Sequence, residues 1–257
     1  MELLMTAFVS RAAFHIHVLG LAGLACALIG TPALSAVSAV DAAIADPARP
    51  AAERALDGDR KPQEVLRFYG VKAGDKVIER FPGGTYYTRL LSKIVGPRGK
   101  VYVALFKRAD GSILDIDKAK SVEGPTVVLV PNDNATPTAP EPVDVVISQQ
   151  NYHDLHVGSQ ASTAATAVNR SVFEVLRPGG TYVVIDHDAR PGLGASDAPK
   201  THRIEMSTAR SEVEAAGFRF VGSSEALRNP ADPRTATVSD PSVAGHTDRF
   251  MLKFRKP

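Results

Sequence analysis

From Asp75 to the C terminus the chain alternates short apolar, β-rich runs with helical stretches, and that alternation leaves few architectures open. Strands separated by helices pair in parallel, because a crossover needs a helix-length connection. Asp75–Arg80 reads as a first strand. The turn Phe81-Pro82-Gly83-Gly84 follows it, and then a helix runs from Thr85 to about Val95, stopped by Gly96-Pro97-Arg98-Gly99. Lys100–Phe106, Thr126–Val130 and Val143–Ile147 are the next three strands, with a weak helix near Ile113–Ala119. Ser159–Leu176 is the strongest helical stretch, closed by Arg177-Pro178-Gly179-Gly180 before a fifth strand at Thr181–Ile185. A helix over Ser207–Ala216 and strands near Phe218–Ser223 and Arg249–Phe254 complete the pattern. The Pro-rich stretch between the last two strands is either functional or a simple crossing. Upstream, Asp46–Tyr69 mixes charged and apolar residues as one or two amphipathic helices would, and these are expected over a sheet edge.

Residues 1–39 follow a different rule. Arg11 is their one basic residue, Val18–Gly30 is a run of apolar and small residues, and Pro32 ends it. The run is shorter than the roughly 20 residues of a spanning helix, and Leu34-Ser35-Ala36 and Val37-Ser38-Ala39 offer small residues for a signal peptidase. The expectation is therefore a signal peptide over 1–39, export to the periplasm, and a domain over 40–257 whose first part, 40–70, is a helical extension. An uncleaved anchor is the alternative. Gly23 stands where a lipoprotein site has leucine, which argues against lipidation of Cys26. Removal of the segment leaves no cysteine and no reason for stable membrane insertion.

The whole chain balances 30 Lys+Arg against 28 Asp+Glu and has no Trp, so nothing in its charge asks for a nucleic acid. One cysteine excludes a disulfide framework and any multi-cysteine metal site. A small-molecule substrate is the expected partner.

Four strings carry a more specific signal: Asp46-Pro47-Ala48-Arg49-Pro50, Asn151-Tyr152-His153-Asp154, Leu227-Arg228-Asn229-Pro230-Ala231-Asp232-Pro233-Arg234 and Thr247-Asp248-Arg249-Phe250. With the order of strands, glycine turn and helices, they resemble the class I methyltransferases that use S-adenosylmethionine (SAM), and more narrowly the exported bacterial members. The resemblance spans about Pro47 to Pro257. It implies a Rossmann-like, mostly parallel seven-stranded sheet with helices on both faces, its last strand antiparallel, and SAM in a crevice at the carboxyl edge. Ligands collect there in open α/β sheets because helix N-termini and backbone amides point outward where the strand order reverses.

The resemblance places the cofactor against Glu79, Pro82, Gly83, Gly84 and Asp133. The family's acid-x-Gly-x-Gly-x-Gly spacing, started at Glu79, meets Phe81, Gly83 and Thr85, so one of the three glycines is kept. The second strand ends in Leu105-Phe106-Lys107, without the carboxylate that ordinarily holds the ribose hydroxyls. Asn151, Tyr152, His153 and Asp154 follow the fourth strand, where the family presents polar groups to its substrate, and His153 is the expected general base. Asp186 and His187 end the fifth strand, and His156 and His202 lie nearby in sequence. No recognised ligand pattern joins these histidines, so no metal is assigned. Two alternatives to a SAM-dependent methyltransferase follow: a non-catalytic binding protein on a degenerate scaffold, and a metal-assisted enzyme using the rim histidines.

Overall fold

The computed structural model describes residues 38–108, 110–132, 136–159 and 161–257. The expected export segment through residue 37, and Asp133, therefore lie outside the described residues. Seven strands form one sheet: β1 (Lys76–Arg80), β2 (Lys100–Phe106), β3 (Val127–Asn132), β4 (Val143–Gln149), β5 (Leu176–His187), β6 (Arg219–Ser224) and β7 (Arg249–Arg255), in the order β3-β2-β1-β4-β5-β7-β6. The first five pair in parallel, and β7 runs antiparallel between β5 and β6. The expected fold class is the one observed.

Alternation along each strand sorts the core into two layers. Val77, Val101, Val103, Val145, Ile147, Val183 and Ile185 face one layer, while Ile78, Tyr102, Val146, Tyr182, Val184 and Leu252 face the other. The first layer is covered by α1 (Ala39–Ile44), α4 (Pro62–Tyr69) and α5 (Tyr86–Val95). Between α1 and α4 lie two single-turn helices, α2 (Ala51–Arg54) and α3 (Asp57–Arg60). The N-terminal helices thus cover a face of the sheet and not its edge, because Ala43, Val65, Leu66 and Tyr69 are fully enclosed with the strands and α5. Pro62 at the first turn of α4 and Gly70, at φ 74°, bound that helix by ordinary start and stop chemistry.

The second layer is covered by α7 (Ala161–Val175) and α9 (Met206–Ala215), with Val168, Val172, Ala209 and Val213 buried. Two smaller helices, α6 (Ile116–Lys120) and α8 (Ala198–Thr201), and a 3-10 turn at His153–His156 fill the connections. Leu176 already pairs with Val143, and pairing resumes at Thr181 opposite Val145, so Arg177–Gly180 bulges out of β5. Among the described residues no helix is long and apolar enough to cross a membrane.

Candidate functional site

Strand order reverses between β1 and β4, and the chain opens a cavity of about 600 Å³ beyond their carboxyl ends, within the usual range for a small-molecule site. Glu79, Pro82, Gly83 and Gly84 all line it, as the sequence places them. The turn that shapes it has one unusual residue. Phe81 holds φ at 44°, a left-handed conformation that costs a bulky residue energy and that glycine adopts freely. Phe81 keeps a backbone conformation open to glycine, and its ring packs edge-on against Phe106, 5.8 Å away between centroids. Thr85 is turned aside: its hydroxyl donates to Glu53 Oε1 at 3.0 Å. Among the described residues, beyond its immediate chain neighbours, no atom lies within 4 Å of a Cβ added at Gly83 or Gly84, so the turn is open where it borders the cavity.

The residue after Glu79 supplies a feature that no motif announces. Arg80 is about 1% exposed, its NH1 donates to Ser148 Oγ (2.8 Å) and Asn151 Oδ1 (2.9 Å), and its Nε has no hydrogen-bond partner among the described residues. Burial pulls its pKa below the usual arginine value, yet a guanidinium stays charged at any ordinary pH. Neutral partners and an unmatched donor in a cavity wall favour an anionic ligand group. Glu79 faces the other layer. Burial lifts its carboxyl to about 7, against the opposing pull of a 2.5 Å hydrogen bond from Thr88 and the charge of Arg60.

The carboxylate missing from the end of β2 arrives from further along the chain. A bridge between Lys107 and Ile113, with the N–H of Leu114 donating to the Phe106 carbonyl, folds the connection back so that Leu114 and Asp115 line the cavity. The fold-back places an acid near a strand end that lacks one in sequence.

The four residues expected to act on substrate separate. Asn151 lines the cavity, but all its capacity is spent on the turn: its amide donates to the carbonyls of Arg80 and Phe81 (2.5 and 3.2 Å), and its oxygen accepts from Arg80 and Ser148. It holds the β1 turn against β4. Tyr152 is buried in the second core layer, donating to Glu212 (2.9 Å) and accepting from Asn169 (2.7 Å), so it does not reach the cavity. Asp154 does line the cavity, with its side chain about half exposed.

His153 does not match the base expected of it. It is 4% exposed and absent from the cavity wall, with Nδ1 2.8 Å from Asp186 Oδ1 and Nε2 3.2 Å from Asp154 Oδ1. Burial pulls its pKa down, but the two carboxylates outweigh that and lift it to about 10, so the ring is a cation at neutral pH and has no lone pair to accept a proton. Asp186 is correspondingly held below the usual carboxylate range, its burial outweighed by His153 and its hydrogen bonds. His187 goes the other way: burial holds it neutral, at about 3, with Nδ1 2.7 Å from Thr247 Oγ1. His156 turns to Glu212 at 3.2 Å, and His202 faces His153 with ring nitrogens 3.3 Å apart. Spacing along the sequence could not have shown these directions.

No family model matches the chain. One curated relative, the ubiquinone/menaquinone biosynthesis C-methyltransferase UbiE of Pasteurella multocida, is 30% identical over 121 residues, which is 46% of this chain and 41% of the relative. The chain therefore aligns with well under half of that relative's length. Among solved structures, a SAM-dependent methyltransferase from Aquifex aeolicus superposes with a TM-score of 0.55 at 20% identity, over 81% of this chain and 99% of the other. The N-methyltransferase NodS of Bradyrhizobium japonicum gives 0.53 at 13% identity, over 79% and 97%. The fold is that of the class I methyltransferases. The cyclase SpnF shares this class I fold with the chain, at a TM-score of 0.52 and 15% identity over 77% of this chain and 80% of the other, so the site and not the fold must carry the function.

Proposed function

We propose that the chain is a SAM-dependent methyltransferase acting on a small-molecule acceptor. The observation that carries this reading is the open turn after β1. Two of its three family glycines are replaced, yet Phe81 keeps the left-handed backbone, Thr85 is tied to Glu53, and the cavity beyond stays clear. The residues fit the cofactor's chemistry. Arg80 would meet a carboxylate, Asp115 would accept from ribose hydroxyls, Gly83 and Gly84 would let backbone approach, and Phe81 and Phe106 offer apolar faces for a base. Bound SAM would supply an already activated methyl group. What remains for the chain is to orient the acceptor and exclude water, with Asp154 the titratable group in the wall after β4.

Calorimetric titration with SAM and with its demethylated product tests the reading. Saturable binding of both is expected, and absence of both would leave a binding protein on a borrowed scaffold. Transfer of labelled methyl to a cell-envelope extract would separate an enzyme from that alternative. We further propose export to the periplasm, supported by the residue pattern of 1–39 alone. Fractionation of the native host should recover the chain, shortened, outside the cytoplasm, and full-length protein in the cytosol would overturn it.

A further inference from the structure

Beside the cavity, three side chains from two connections converge on one point. His153 Nε2 lies 3.2 Å from Asp154 Oδ1 and 3.3 Å from His202 Nδ1, and those last two atoms are 3.7 Å apart. Their ligand atoms all fall within 4.8 Å of one another. A tetrahedral zinc ion with bonds of about 2.0–2.1 Å separates its ligand atoms by roughly 3.3–3.4 Å. The triangle thus has nearly the edges that such an ion requires before any ion is present.

We infer that His153, Asp154 and His202 form a binding site for a divalent transition metal of the zinc type, with a fourth position left for water or a ligand. The orientation of His153 supports this independently. Asp186 Oδ1 engages its Nδ1 at 2.8 Å, and Asp186 Oδ2 accepts its backbone N–H at 2.7 Å, so the ring is fixed with Nε2 turned to the other two ligands. A carboxylate behind a ligating histidine is the arrangement that fixes tautomer and orientation in metal sites. The carboxylates of Asp154 and Asp186, 3.2 and 2.8 Å from the His153 ring nitrogens, supply negative charge beside a metal cation.

His202 is placed by its backbone. It caps α8 with φ at 56°, a conformation uncommon outside glycine, and stands edge-on to His153 at 5.2 Å between ring centroids. Its side chain and that of Asp154 are about half exposed, which gives an ion a way in. Two nitrogens and one carboxylate oxygen suit zinc better than calcium or magnesium, which prefer oxygen alone. His156 and His187 are excluded, since Glu212 and Thr247 hold them elsewhere.

The assignment does not depend on methyl transfer. A chain that binds no SAM but takes up zinc would retain it, and one that binds SAM without metal would lose it. The test uses untagged full-length protein loaded with zinc, freed of excess by dialysis and measured by elemental analysis. Cobalt substitution reports coordination through its visible absorption. One equivalent per chain and a tetrahedral cobalt spectrum are expected. His202→Ala and Asp154→Asn should each weaken binding by at least about tenfold, while both variants keep the wild-type circular dichroism and melting profile. His156→Ala should bind as the wild type does. Wild-type protein holding well under one equivalent would overturn the assignment, as would undiminished binding by His202→Ala or an equal loss in His156→Ala.

Discussion

At the residue scale, the wall of the cavity sets ionisation against burial. Glu79 has a carboxyl lifted from 4.5 to about 7 by its surroundings, so the folded state holds its proton where the unfolded chain has released it. Folding then takes up a proton between pH 4.5 and 7, and stability attributable to Glu79 falls as pH rises through that window, by on the order of 3 kcal/mol at most. Glu79→Gln should melt at nearly the wild-type temperature at pH 5 and above it at pH 8. Equal shifts at both values would show that Glu79 is not the titrating group. Gly83 poses a different question, because among the described residues nothing comes within 4 Å of a Cβ added there. Gly83→Val should leave the melting temperature within about 2 °C, since surface-like substitutions usually cost under ~0.5 kcal/mol. It should weaken SAM binding at least tenfold, and calorimetry showing unchanged affinity would remove the turn from the proposed site. Glu79, Gly83 and Gly84 were legible in the sequence because motif spacing is local. Asp115 was not, since it lies nine residues beyond the strand and a backbone bridge between Lys107 and Ile113 delivers it. The roles of Asn151, Tyr152 and His153 depend on which way each side chain leaves the short connection from β4 into the 3-10 turn, and no periodicity encodes that.

At the scale of elements, strands were the most legible feature because a buried parallel strand announces itself as an apolar run. Lys100–Phe106 coincides with β2, and the other strands begin or end within a few residues of the expected points, apart from the bulge that lengthens β5. The single-turn helices α2, α3 and α8 were not legible, since four residues cannot show a 3.6-residue period. What holds α2 and α3 in place is polar. Arg49, 3% exposed, makes two hydrogen bonds to Asp57 (2.9 and 2.6 Å), and Asp57 also accepts from Tyr86 of α5 at 2.5 Å. Arg60 at the end of α3 lies over the Tyr86 ring, 4.5 Å from its centroid, and lines the cavity. The N-terminal segment therefore contributes to the site through this clamp. Asp57→Ala strands a buried guanidinium and should cost about 1–3 kcal/mol. Arg170→Ala, which removes an exposed pair with Glu174, should cost less than about 0.5 kcal/mol. Denaturant titration of the two variants compares them directly, and similar midpoints would mean that the clamp is no more than a surface contact.

At the scale of the whole molecule, two of the four family-like strings, Leu227–Arg234 and Thr247–Phe250, supply ionic ties across the second half of the chain. Arg228 and Arg234 both reach Asp188 and Asp248, and Arg203 pairs with Asp232 where both side chains are fully buried. The Pro-rich stretch between β6 and β7 is thereby fastened beside the carboxyl end of β5. Neither the pairing nor the burial was legible, because Arg203 lies 29 residues from Asp232 and sits in a segment with no periodic pattern. A buried ion pair adds little net stability when complete, but breaking it exposes the full cost of an uncompensated charge. Asp232→Ala should lose roughly 3–5 kcal/mol, and for a domain of this size that corresponds to a melting temperature lower by on the order of 10 °C. Replacing both partners, Arg203→Met with Asp232→Leu, removes the stranded charge and should recover part of that loss. Recovery stays incomplete because Asp232 also accepts the backbone N–H groups of Arg234 (2.9 Å) and Asp248 (2.6 Å), which a leucine leaves unpaired. If the double variant melts no higher than Asp232→Ala, those backbone bonds and not the charge pair hold the strap, and Asp232→Asn, whose single carbonyl oxygen can accept one of the two, should then melt between Asp232→Ala and the wild type.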